Sequence, residues 1–123
     1  MRYRKILIVD DSATSRLIVK RCFEIAGYTD ATFFESGDGG EALDLLRGET
    51  VDLVVTDLKM PRVDGHTFVR KLRAAPGTRH LPVVVVSSVS ATSENQPAFQ
   101  ENVIAIIQKP LSPVKLMHAI NED

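Results

Sequence analysis

Cysteine, net charge and long apolar runs are all scarce in this chain. Cys22 is the single cysteine, so no internal disulfide can form, and a reducing cytoplasmic compartment is expected. A catalytic thiol would want a nearby base, and no histidine lies close to Cys22 in sequence; it reads as a core residue of the first helix. The 15 Lys and Arg residues nearly cancel the 16 Asp and Glu residues, for a formal net charge of −1. That balance gives no electrostatic footprint for nucleic acid. No apolar run approaches the roughly 20 residues needed to span a bilayer. The basic start Met1-Arg2-Tyr3-Arg4-Lys5 is followed only by Ile6 to Val9 before Asp10-Asp11, too short for a secretory core. His66, His80 and His118 lack metal-ligand spacing. Gly37, Gly39 and Gly40 are not followed by Lys-Ser/Thr, which argues against a nucleotide P-loop. No linker, low-complexity stretch or long repeat is present.

What is present is alternation. At 123 residues, 44% hydrophobic and 25% charged, the chain reads as one domain with a real core. Strand-like runs begin near residues 6, 32, 51, 82 and 104, with helical periodicity between them. Ser12 is a plausible N-cap for a first helix whose apolar positions Leu17, Ile18, Cys22, Ile25 and Ala26 share a face, with Gly27 as its stop. A second helix is expected over residues 41–47. A third should run from Asp64 or Gly65 to about Ala75, with Phe68, Val69 and Leu72 inward and Arg70, Lys71 and Arg73 in water. Residues 90–101 are polar and contain Pro97, so a short, mobile fourth helix is expected there. A last helix starts near Ser112 and buries Leu116, Met117 and Ile120. Near-continuous Val/Ile/Leu strands indicate a parallel sheet covered on both faces, an α/β doubly wound fold.

The ends of these runs carry the chemistry. Asp10 and Asp11 follow the first run, Asp57 the third, Ser87 the fourth and Lys109 the fifth. Parallel strands would bring all of them to one sheet edge, where open α/β sheets bind ligands.

This constellation resembles the receiver domain of two-component response regulators. The matching pieces are Val9-Asp10-Asp11-Ser12, Asp57-Leu58-Lys59-Met60-Pro61-Arg62-Val63-Asp64-Gly65, Leu81-Pro82 with the valine run to Ser87, and Lys109-Pro110. Asp38-Gly39-Gly40-Glu41-Ala42-Leu43 is similar to the family's second-helix entry. The resemblance covers the chain as a single receiver domain, residues 1–123. It implies a flavodoxin-like, CheY-like fold, with a five-stranded parallel sheet of order 2-1-3-4-5 and five helices. It further implies that Asp57 accepts a phosphoryl group and that Mg²⁺ (or Mn²⁺) is held by Asp11, Asp57 and the Lys59 main-chain carbonyl, with Asp10 acting through water. Lys109 and Ser87 would contact the phosphoryl oxygens, and the Lys109–Pro110 peptide would be cis.

The implied partners are a sensor histidine kinase or phosphotransfer protein and a downstream protein target. Neither nucleic acid nor membrane is expected as a direct partner, and the state is monomeric or a phosphorylation-dependent dimer. Three positions depart from the common pattern. Ile106 stands where an aromatic residue is usual, Lys59 sits two past the acceptor, and Ser88 replaces a small residue such as Ala. Two other readings compete with this signalling, non-enzymatic role. One is a phosphate-independent binding scaffold, although no acidic or lysine residue of the pattern is missing. The other is an Asp-nucleophile phosphohydrolase, which would carry Asp-x-Asp after the first strand and a cap insert; this chain has adjacent Asp10-Asp11 and no spare length.

Overall fold

The computed structural model describes residues 2–88 and 103–121. Five strands, β1 (Lys5–Val9), β2 (Thr32–Ser36), β3 (Leu53–Thr56), β4 (Val83–Ser87) and β5 (Val103–Gln108), form one sheet of order β2-β1-β3-β4-β5. Every neighbouring pair is parallel. Among the described residues there are four helices: α1 (Ala13–Ile25), α2 (Gly39–Gly48), α3 (Gly65–Ala74) and α4 (Pro113–Asn121). The short helix expected within residues 90–101 lies outside the described residues.

The apolar strands are explained by two cores, one on each sheet face. Successive side chains point to opposite faces. Ile6, Ile8, Leu53, Val55, Val84 and Val86 therefore pack with α1 and α4. Leu7, Val9, Val54, Val83 and Val85 pack with α2 and α3 on the other face. The strands at the two edges are less buried. Between β4 and β5 the register slips, with Val83 opposite Val103 but Val84 opposite Ala105. Ile104 is the extra residue of this irregularity and is exposed.

Local capping fixes where the helices start. The Ser15 N–H donates to Ser12 Oγ, the Glu41 N–H to Asp38 Oδ1 and the Thr67 N–H to Asp64 Oδ1. These bonds satisfy amides that have no partner within the helix. Asp38 starts α2 two residues before the expected helix begins. At the end of α1, Gly27 has φ of 105°. The Tyr28 N–H bonds the Phe23 carbonyl and the Gly27 N–H the Glu24 carbonyl, the paired bonds of a Schellman stop. Ser112 caps α4 through the Lys115 N–H.

Three expected side-chain placements are corrected. The buried stripe of α1 is Val19, Cys22 and Phe23 with half-buried Ala26, while Leu17 (58% exposed), Ile18 and Ile25 (69% exposed) face outward. Both stripes have helical spacing; the one carrying the large Phe23 ring faces the sheet, where that ring meets Tyr28 edge-on at 5.4 Å. On α4, Leu116 and Ile120 are buried but Met117 is 41% exposed. Arg73 on α3 is not a purely solvated cation, since its guanidinium donates to the Leu81 and Arg79 carbonyls. Cys22 is a core residue as expected, its thiol pushed up in pKa by burial. The α1 assignment is checked by urea unfolding. Phe23→Ala is expected to cost about 3–5 kcal/mol, whereas Leu17→Ser should stay within about 0.5 kcal/mol of the parent.

Candidate functional site

Parallel pairing sets the carboxyl ends of β1, β3, β4 and β5 side by side, and the residues immediately after them meet. Backbone bonds hold those ends in register. The Asp10 N–H donates to the Ser36 carbonyl, the Asp57 N–H to Val9 and the Lys109 N–H to Ser87. The Lys109 ammonium lies 2.9 Å from Asp10 Oδ2 and 3.1 Å from Asp57 Oδ2, and 3.4 Å from Ser15 Oγ. Asp57 Oδ1 accepts the Leu58 N–H at 2.6 Å and is 3.5 Å from the Lys59 nitrogen. Asp10 Oδ1 accepts the Ser12 N–H. Asp10, Asp57 and Ser87 are buried, whereas Asp11 is exposed at the mouth.

Asp10, Asp11 and Asp57 each offer a carboxylate oxygen, and these oxygens lie within 4.8 Å of one another. Burial pushes the Asp10 carboxyl above its usual pKa and neighbouring Asp57 adds to the rise, against the Ser12 amide and the Lys109 ammonium, which pull it down. For Lys109 the balance runs the other way: burial lowers its pKa, but the hydrogen bonds and attraction of Asp10 and Asp57 outweigh it, so the ammonium stays protonated. Three carboxylates face one such ammonium, leaving an excess of negative charge. An all-oxygen donor set of this sign suits a hard divalent cation such as Mg²⁺, which commonly takes one or two carboxylates and keeps several waters.

The other predicted residues fall around this cluster. Ser87 ends β4 beside Lys109. The Lys59 side chain is exposed and forms no ion pair with the described residues. Ile106 is half-buried against the α2/α3 core, and Ser88 is exposed. The Lys109–Pro110 peptide is cis.

Other contacts at the site involve residues to which the sequence assigns no site role. Arg16 donates from Nη1 to the Asp10 carbonyl at 2.6 Å and from Nε to Glu35 at 2.8 Å, tying α1 and β2 to the back of the pocket. Gly65 donates to the Leu58 carbonyl at 2.9 Å, and a Cβ there would collide with the Asp57 carbonyl oxygen and Leu58 Cα. Only glycine permits that approach. Asp38 and Arg62 form an ion pair. The Asp38 cap was legible as an Asp three residues before Glu41, but neither Arg16 nor Arg62 stands in a pattern that marks it.

The sequence matches the family model of the response regulator receiver domain over residues 6–121. The chain belongs to that family. The receiver domain is similar to the chemotaxis protein CheY of Pseudomonas aeruginosa, 35% identical over 118 residues that cover 96% of this chain and 94% of the relative. A CheY homolog of Campylobacter jejuni is 34% identical over 119 residues, covering 96% of this chain and 90% of that one. Among solved structures, chemotaxis response regulator CheY4 of Vibrio cholerae shares the fold, with a TM-score of 0.82, 23% identity and 97% of each chain covered. Receiver domains are signalling modules that act with histidine kinases and bind Mg²⁺ at an acidic pocket. No helix among the described residues is long and apolar enough to cross a membrane.

The raised Asp10 pKa has a definite sign in stability. Between the unfolded value near 3.8 and the higher folded value, the folded state binds more protons. Stability therefore falls as pH rises through that window and levels off above it. In the metal-free receiver domain, Asp10→Asn should remove this fall and raise neutral-pH stability by about 0.5–2 kcal/mol, as when site strain is relieved. Urea unfolding with a chelator from mildly acid to neutral pH checks it; a variant less stable than the parent would mean that the lost Lys109 partner outweighs the relieved burial of charge.

Proposed function

We propose that this receiver domain, extending over the whole chain, takes a phosphoryl group onto Asp57 from a histidine kinase or phosphotransfer protein in the cytoplasm. The observation that carries this reading is the Lys109 ammonium bridging buried Asp10 and Asp57 at adjoining strand ends. Asp57 is the carboxylate with one oxygen on the Leu58 amide and the other on Lys109. Both donors orient it without removing its charge, which suits a nucleophile.

In the transfer, an Asp57 oxygen forms a bond to phosphorus as the bond to the donor's leaving group breaks, giving an acyl phosphate. Lys109 is then positioned to pair with a phosphoryl oxygen as a compact point charge. Ser87, at the end of β4, donates its hydroxyl to another. The donor set fits Mg²⁺, held by Asp11, Asp57 and the Lys59 main-chain carbonyl, with Asp10 through water. When bound, the cation orients the phosphoryl oxygens and offsets their charge. Drawing Ser87 and Lys109 toward the new anion alters the surface next to β4 and β5, and so the affinity for a protein target. Turnover is limited to loss of the domain's own phosphoryl group; external esters are not processed.

Intact-protein mass after incubation with acetyl phosphate and Mg²⁺ tests this. One phosphoryl increment is expected in the parent, and none in Asp57→Asn or with a chelator. Absence of the increment together with absence of beryllofluoride binding would sink the reading in favour of a phosphate-independent scaffold. Rapid multiple turnover of an external phosphate ester would favour a phosphohydrolase.

A further inference from the structure

We infer that the Asp38–Arg62 ion pair is a positioning device that holds the loop after Asp57 in shape, and through it sets Mg²⁺ affinity and phosphoryl lifetime. The inference rests on the receiver reading above. Neither residue belongs to the carboxylate cluster or lies on a strand. Asp38 precedes α2, and Arg62 sits in the loop of residues 58–64 that joins β3 to α3.

Three observations meet at this loop. First, its two ends are pinned at the site: the Leu58 N–H donates to Asp57 Oδ1, and the Gly65 N–H closes back onto the Leu58 carbonyl. Its middle, from Met60 to Val63, is instead held from the start of α2. Second, Arg62 adopts φ of 63°, a left-handed conformation that non-glycine residues take only rarely. Something outside the local backbone must hold it there. Third, the Arg62 guanidinium pairs with Asp38 Oδ2 while most of the arginine remains exposed. Asp38 is buried, and its carboxyl is held below the usual range by the Glu41 amide and by Arg62. It is therefore a fixed anion already anchored to α2.

The neighbouring main chain reinforces the tether. The Gly39 N–H donates to the Val63 carbonyl at 3.1 Å, and a Cβ on Gly39 would meet the Val63 side chain at 2.8 Å. Glu41 is the other acid facing Arg62, at 3.9 Å, and its second oxygen accepts the Gly37 N–H. The start of α2 thus grips the loop at 62 and 63, a few residues from the Lys59 carbonyl proposed to ligate the cation and from the amides on Asp57. Loosening this grip leaves every ligand and the acceptor in the chain but no longer presents the loop in one arrangement. Outer partners of this kind tune metal sites without touching the ion.

Substitution separates the ion pair from the backbone conformation. Arg62→Gly keeps the left-handed conformation accessible but removes the charge. Asp38→Asn keeps the α2 cap, since asparagine caps as well as aspartate, and likewise removes the pair. Arg62→Lys retains a cation. The full chain of each is measured three ways: amide hydrogen exchange over residues 58–63 without metal, Mg²⁺ affinity by calorimetry, and the half-life of the acetyl-phosphate product.

Arg62→Gly and Asp38→Asn should each speed exchange in the loop while leaving β1 and β3 protected, and weaken Mg²⁺ binding by roughly tenfold. They should also change the phosphoryl half-life. The double variant should be no worse than either single, and Arg62→Lys should stay near the parent. Faster loop exchange with unchanged Mg²⁺ affinity and half-life would make the pair merely structural and overturn the inference. Unchanged exchange would show that the pair holds nothing. A parent that neither binds Mg²⁺ nor gains a phosphoryl group would instead remove the receiver reading, whatever the loop does.

Discussion

The receiver site depends on one unequal electrostatic balance. A single ammonium, that of Lys109, stands between Asp10 and Asp57 with a third carboxylate, Asp11, close by. Coulomb attraction within a buried cleft is strong because little water screens it. The same burial makes the excess negative charge costly, and that cost appears directly in the raised Asp10 pKa. A pocket with its charges exactly neutralised would be more stable and would have no use for a cation or for a phosphoryl group accompanied by one. Such an excess on oxygen donors suits a hard divalent cation.

The fold exists to hold those charges at one edge. Each central strand buries side chains on both faces, so its register is set by the fit of particular side chains into two separate cores. Strand register therefore fixes where Asp10, Asp57 and Lys109 emerge. Backbone bonds at the strand ends carry this order into the loops, where strand pairing alone would give out.

The parallel sheet, the strand ends and the carboxylate–lysine cluster were legible because they follow from periods and positions along the chain, whereas the strand order came from the resemblance to receiver domains. Buried parallel strands read as continuous apolar runs, and polar residues closing such runs stand out. The reading lost resolution where two patterns satisfied the same period. Leu17, Ile18 and Ile25 keep helical spacing just as Val19, Cys22 and Phe23 do, and only packing against Tyr28 and the sheet decides between them. It failed where a partner is distant in sequence and ordinary in type. Arg16 with Glu35, and Asp38 with Arg62, become pairs only after strands and loops have been set side by side. Gly65 was placed at the start of the third helix, but its close approach to the Asp57 main chain is a three-dimensional fact.

The register slip at Ile104 lies at the Val83 end of the β4–β5 pairing, and from Val84 to Ser87 the ladder runs regularly up to the pocket. Toward β2 and α3, the surroundings of Asp57 are bolted by Arg16, by Gly65 against Leu58 and by Gly39 against Val63. Toward β5, Ile106 is only half-buried. The Asp57 side of the pocket is thus tied by bonds from α1, α2 and α3, whereas the β5 side is held by strand pairing and by the Lys109 amide on Ser87.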